Sequence, residues 1–324
     1  MERKKIAALI SSFRNIPVLV IGDAMIDHYV IGKVDRISPE APVPVVNVER
    51  EEWRLGGSAN VALNLTSLGA KTFLCGLTGK DSDGKLLRKL CTDGKINSEA
   101  LVEDSMRPTT KKTRILSDKH QLLRYDQELT TDANSKAEKK LINTFDKIIQ
   151  QKKPRLVILE DYNKGVLTPR LISHVIETCN QKKIITTVDP KHNRFFEYQG
   201  VTVFKPNLRE LKEAYHLSAI DSAPYELLKL SKRLSADLKG SSILITLGEK
   251  GSFYLTKTRN EIIPSQARDV ADVSGAGDTV IAVVSLALAA GNSFHDSVDL
   301  ANLAGGLVCE HAGVVPVTPA MLTN

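Results

Sequence analysis

The sequence predicts an α/β protein: a doubly wound, mostly parallel sheet with helices on both faces and a small β-strand lid. Three observations lead there. Apolar runs of strand length alternate with helix-patterned segments along the chain. Those runs are hydrophobic at nearly every position, the mark of strands buried on both faces. Two further segments alternate apolar and polar residues and break the rhythm.

Taken in order, residues 1–14 interleave charged and apolar residues and predict a short amphipathic helix without the continuous apolar core of a signal peptide. Strands are expected at 17–22, 71–76, 155–160, 184–189, 202–205 and 242–247, and helices at 135–151, 168–180 and 224–238 supply crossovers between them. In such sheets ligands bind beyond the carboxyl ends of the strands, and those ends carry Asp23, Asp161, Asp189, Asn207 and Gly248. Segments 42–53 and 110–125 alternate as antiparallel strands do; within broader limits of about 33–54 and 108–127 they form the expected lid, flanking Gly56-Gly57. Surface hairpins without a gating role are the other reading of the same pattern. With no repeat, low-complexity tract or long linker, residues 1–324 read as a single domain.

Composition excludes several function classes. Cys75, Cys91, Cys179 and Cys309 are widely spaced and form no CxxC pair, which predicts free, buried thiols in a reducing compartment, the cytoplasm. The apolar run 279–291 falls well short of the ~20 residues a membrane span needs and predicts a buried helix. A net charge of +6 is spread over stretches such as 136–153, where lysines interleave with acids. Neither nucleic acid nor a membrane is therefore an expected partner, whereas anionic small molecules are.

The chemistry concentrates in a few motifs. In Val273-Ser-Gly-Ala-Gly-Asp278-Thr279, small residues precede a strongly apolar helix, so the amides of Gly275, Ala276 and Gly277 can face an anion at the positive end of the helix dipole. Asp278 then stands where a carboxylate can take the proton of an attacking hydroxyl; a simple helix cap is the alternative. Gly56-Gly57 permits close approach of a ligand, and Asn60 offers donors and acceptors to hydroxyls, unless the segment is only a tight turn before a helix. Asp23 and Asp27 follow the first strand as candidate readers of vicinal hydroxyls, with turn capping the other role open to Asp23. Asn207 and Glu210 have the spacing of a helix-capping pair, which is compatible with a further role.

The run ending at Asp278 resembles the second signature of PfkB-type carbohydrate kinases, with Val273 where threonine is usual, and Leu55-Gly-Gly-Ser-Ala-Asn60 resembles their first. The resemblance implies a ribokinase-like fold, ATP and Mg2+ as cofactors, and Asp278 as catalytic base. It also implies a nucleotide site of Thr246, Gly248 and Gly251 with Asn302 near the adenine, and Asn207 and Glu210 beside phosphate and magnesium, Glu210 through water. Arg36-Ile-Ser-Pro-Glu40-Ala-Pro-Val-Pro-Val-Val46, Asp161-Tyr-Asn-Lys164-Gly165 and Asp189-Pro-Lys191 are similar to the kinases of ADP-heptose biosynthesis. That implies transfer of the ATP γ-phosphoryl group to the anomeric hydroxyl of D-glycero-β-D-manno-heptose 7-phosphate. Arg36, Lys112, Arg114, Arg124, Lys164 and Lys191 are then the cations available for the distal phosphate, each equally readable as a solubilising charge. The histidines lack the His-x-Gly-His spacing of the nucleotidyltransferase often fused to such kinases, so kinase activity alone is expected. Lid strands in this fold often pair across a two-fold axis, which predicts a homodimer. A kinase of another sugar or sugar phosphate, or a non-catalytic sensor on the same fold, are the competing readings.

Overall fold

Val18 and Val20 face one side of the first strand and Leu19 and Ile21 the other, and all four are fully buried. The same holds along its neighbours, so the sheet they form must be covered on both faces. The computed structural model describes residues 1–117, 120–220, 222–266 and 270–323. Its strands are β1 (Pro17–Gly22), β2 (Ala24–Ile37), β3 (Pro44–Gly57), β4 (Lys71–Thr78), β5 (Leu101–Glu103), β6 (Lys111–Ser117), β7 (His120–Gln127), β8 (Leu156–Glu160), β9 (Ile185–Asp189), β10 (Val203–Phe204), β11 (Ser242–Thr246), β12 (Ser252–Leu255) and β13 (Asn260–Ile263).

Nine of these form the main sheet in the order β13-β12-β11-β10-β9-β8-β1-β4-β5. From β5 to β11 every pairing is parallel; β12 and β13 close one edge as an antiparallel hairpin. One core layer joins Val18, Val20, Leu74, Ile158 and Leu244 to the helices Ser58–Ser67, Ala276–Ala289 and Phe294–Cys309. The other joins Leu19, Ile21, Phe73, Val157 and Ile245 to the helices Ser135–Lys152, Pro169–Gln181 and Pro224–Asp237. The doubly wound, mostly parallel sheet expected from the sequence is therefore present, and the four cysteines are buried and unpaired. Among the described residues no helix is long and apolar enough to cross a membrane.

A second sheet, in the order β3-β2-β6-β7, stands against the carboxyl edge of the first. It contains both expected lid segments but starts earlier, because β2 leaves β1 with only Asp23 between them. Residues 24–32, to which the sequence assigned no element, are thus strand. Asp27 and His28 interrupt the apolar pattern there, and Gly32 marks a bulge where a Cβ would lie 2.3 Å from the Asn47 carbonyl oxygen.

Candidate active site

The helix Ala276–Ala289 begins at Gly275, whose φ of +81° is the left-handed conformation that glycine adopts without strain. Asp278 lies in its first turn and is 5% exposed. Asn60 Nδ2 donates to its Oδ2 at 2.7 Å, and the Tyr162 hydroxyl donates to its Oδ1 at 2.7 Å. Asn60 is itself held by Asn64, whose amide donates to the Asn60 carbonyl at 2.9 Å. Burial pushes the Asp278 carboxyl up to about 6, against the two donors, which pull it down. Burial and the facing Asp278 push the Tyr162 phenol well above its ordinary range, so it remains a donor. Of the three amides expected to face an anion, that of Ala276 makes a long turn bond to Val273 O at 3.3 Å. Those of Gly275 and Gly277 have no acceptor among the described residues.

Strand ends bring further acids to this point. Oxygens of Glu160 (end of β8), Asp189 (end of β9) and Asp278 all lie within 4.8 Å of one another. Lys205 Nζ is 2.7 Å from Asp189 Oδ2, while Lys191 pairs with Glu210. Glu160 is fully buried and neither of its carboxylate oxygens has a hydrogen-bond partner among the described residues. Burial, with Asp189 and Asp278 nearby, pushes its carboxyl well above the usual range.

On the other side of the Ala276–Ala289 helix start lies a cavity of about 320 Å³ walled by Thr246, Gly248, Gly251, Val280 and Gly305. Asn207, Ala276, Gly277 and Asn302 also line it. Gly251 has φ +95°, and a Cβ there would meet the Ile263 carbonyl oxygen at 2.1 Å.

The match with known proteins is extensive. A model of the pfkB family carbohydrate kinases covers residues 16–321. The chain belongs to this family. It is 39% identical over 321 residues to "Bifunctional protein HldE" of Geobacter metallireducens, covering 99% of this chain and 65% of that protein. It is 42% identical to the Caulobacter vibrioides protein of the same name, over 98% of this chain and 65% of that one. The chain thus spans just under two thirds of the length of these relatives. Among solved structures, Escherichia coli phosphofructokinase-2 in complex with potassium superposes with a TM-score of 0.77 at 17% identity, covering 95% of this chain and 97% of that one. Arabidopsis thaliana ribokinase complexed with ribose and ATP gives 0.69 at 19%, with the same coverages. Both likenesses show the fold.

In this pfkB-family chain several residues singled out in the sequence stand elsewhere than expected. Asp23 does not present a free carboxylate: its Oδ2 accepts from the N–H groups of Tyr162 (2.8 Å) and Lys164 (3.0 Å) and its Oδ1 from that of Val166 (3.2 Å), so it pins the loop after β8. Asn60 faces Asp278 rather than the open cleft. Asp27 pairs with Arg114, and a Cβ at Gly56 would lie 2.4 Å from Asp27 Oδ2, so a larger residue there would displace this carboxylate. At Gly57, with φ +55°, a Cβ would meet the Asp23 carbonyl oxygen at 2.4 Å. Asn207 and Glu210 form a full capping box, and the second Glu210 oxygen takes Lys191, leaving this carboxylate fully engaged. Asn302 lines the cavity, yet its amide is spent on Ser252 Oγ (2.6 Å) and the Ile263 carbonyl (2.9 Å), which tie the β12–β13 hairpin to its helix.

The cations divide. Lys112 and Lys164 converge on Glu128, at 2.9 and 2.6 Å, and Lys112 and Arg124 also meet Asp126 at 3.0 Å each. Lys191 lies instead beside Glu210, 5.2 Å from the centre of the Tyr162 ring. Arg36 is exposed near the far end of β2. Four participants went unnoticed in the sequence: Tyr162, Glu160, Lys205 and Glu128. The rule that ligands gather beyond the strand ends covers Glu160 and Tyr162, which terminate or follow β8; nothing local marks Glu128.

Proposed function

We propose that this enzyme transfers the γ-phosphoryl group of ATP to the anomeric hydroxyl of D-glycero-β-D-manno-heptose 7-phosphate, giving the 1,7-bisphosphate for ADP-heptose biosynthesis. The observation that carries the chemistry is Asp278, a buried carboxylate held by Asn60 and Tyr162 between the cavity and the second sheet. In this reading ATP lies in the cavity lined by Thr246, Gly248, Gly251 and Asn302, with its terminal phosphate at the Gly275 and Gly277 amides. The sugar enters beneath the second sheet, and Asp278 takes the proton of its attacking hydroxyl as the amides receive charge on the phosphoryl oxygens.

Magnesium supplies charge neutralisation on the phosphates when bound. The buried, unpartnered Glu160 and its neighbour Asp189 are hard oxygen donors suited to that ion, better placed than Glu210, whose oxygens are engaged. Lys112 and Lys164 are the strongest candidates for the 7-phosphate, which would compete with Glu128 for them.

The heptose assignment rests on the motif residues 36–46, 161–165 and 189–191. ADP release with a panel of acceptors tests it: heptose 7-phosphate should give the highest kcat/KM, and preference for ribose or fructose 1-phosphate would replace it with another sugar kinase. Absence of ATP-dependent phosphorylation of any sugar would favour a sensor.

The enzyme in this reading is a cytoplasmic homodimer joined through the second sheet. Trp53, Leu123 and Tyr125 lie on its outer face and are 41%, 55% and 50% exposed, an apolar surface suited to a second copy. Light scattering should give a dimer mass that Trp53→Arg with Leu123→Glu reduces to a monomer; a monomeric native protein at micromolar concentration contradicts this.

A further inference from the structure

Among the described residues, Glu160 is the one acid near Asp278 without a donor. Asp278 accepts from Asn60 and Tyr162, Asp189 from Lys205, and Glu210 from Lys191 and the Asn207 amide. Glu160 is 0% exposed, and both its oxygens lack partners among the described residues. Four carboxylates thus face two ammonium groups, leaving a formal excess of two negative charges. Burial without a hydrogen bond or counter-charge is strongly unfavourable. The excess matches a divalent ion, and the spacing suits one too: with metal–oxygen distances of about 2.0–2.6 Å, ligands on opposite sides of one ion stand about 4–5 Å apart, and the three oxygens here lie within 4.8 Å of one another.

We propose that Glu160 and Asp189 bind a hard divalent cation directly, beside Asp278 and before any nucleotide arrives. Glu210, expected from the sequence to serve the metal through water, instead orients Lys191 and closes a capping box. The ion therefore belongs to the protein's own acids and does not depend on ATP to carry it in. Its place next to Asp278 links it to the phosphotransfer reading, on which only its catalytic consequence rests.

Binding can be measured on the full chain without nucleotide, using Mn2+ as the probe and the electron paramagnetic resonance signal of free Mn2+ as the readout. The wild type should remove one Mn2+ per chain from solution, Glu160→Gln should bind it about tenfold or more weakly, and Glu128→Gln, outside the cluster, should match the wild type. Melting provides a second readout: Mn2+ should raise the wild-type midpoint and leave Glu160→Gln unmoved, while in EDTA Glu160→Gln should melt no lower than the wild type because it buries no charge. Failure of the wild type to take up Mn2+ without nucleotide would overturn the proposal and point to a proton on Glu160. Equal affinity in Glu160→Gln would overturn it as well. Neither result bears on ADP release with a sugar acceptor, so the kinase reading stands or falls separately.

Discussion

At the residue scale the chemistry depends on how one carboxylate is held. Asp278 has a protein donor on each oxygen, so its plane is fixed and its remaining lone pairs are directed by Asn60 and Tyr162. Tyr162→Phe keeps the ring and removes one donor to a charged acceptor, a bond of roughly 1.5–3 kcal/mol. Turnover should fall about tenfold or more with little change in the KM for ATP. Only the ionised carboxylate can take a proton, and burial raises Asp278 to about 6. Turnover at saturating substrates should therefore rise with pH through an acid limb at or below about 6, lower when a cation stands beside it. The place of Asp278 in the first turn of a helix that begins at a glycine was legible because small residues precede an unbroken apolar run. Asn60 was legible as a site residue but not in its role: a sequence marks a polar group near the cleft without saying whether it faces the ligand or another side chain.

Turns and caps decide the element scale. The loop after β8 is held by Asp23 through three backbone N–H groups and turns at Gly165, where φ is +82° and a Cβ would lie 2.0 Å from the Thr131 carbonyl oxygen. Gly165→Ala should destabilise the protein by about 1–3 kcal/mol, read as a lower urea midpoint. It should also reduce turnover, because Tyr162 rides on this loop. Asn207→Ala removes half of a capping box and should cost about 1 kcal/mol, read as a lower urea midpoint. The strands at 17–22, 155–160 and 242–247 could be read to within a residue or two, since burial on both faces leaves an unbroken apolar run. β2 could not, because it carries Asp27 and Arg36 and is bulged at Gly32 and again near Arg36. The β12–β13 hairpin was missed because two four-residue strands give too short a pattern.

For the whole molecule, two sheets meet where the parallel strands end, and Asn60, Glu160, Tyr162, Asp189 and Asp278 gather at that junction. The sequence implied a doubly wound sheet, a lid and ligands at the strand ends, because each follows from burial periodicity and chain topology. The pairing of Lys112 and Lys164 with Glu128, and the isolation of Glu160, arise only when segments distant in sequence are brought together. The account stands on Asp278 as the proton acceptor in phosphoryl transfer. Its most direct test is ADP release by Asp278→Asn with the preferred sugar acceptor, alongside circular dichroism and ATP binding. The account predicts a folded protein that still binds ATP and turns over roughly a hundredfold to ten-thousandfold more slowly. Wild-type turnover in that variant would contradict it.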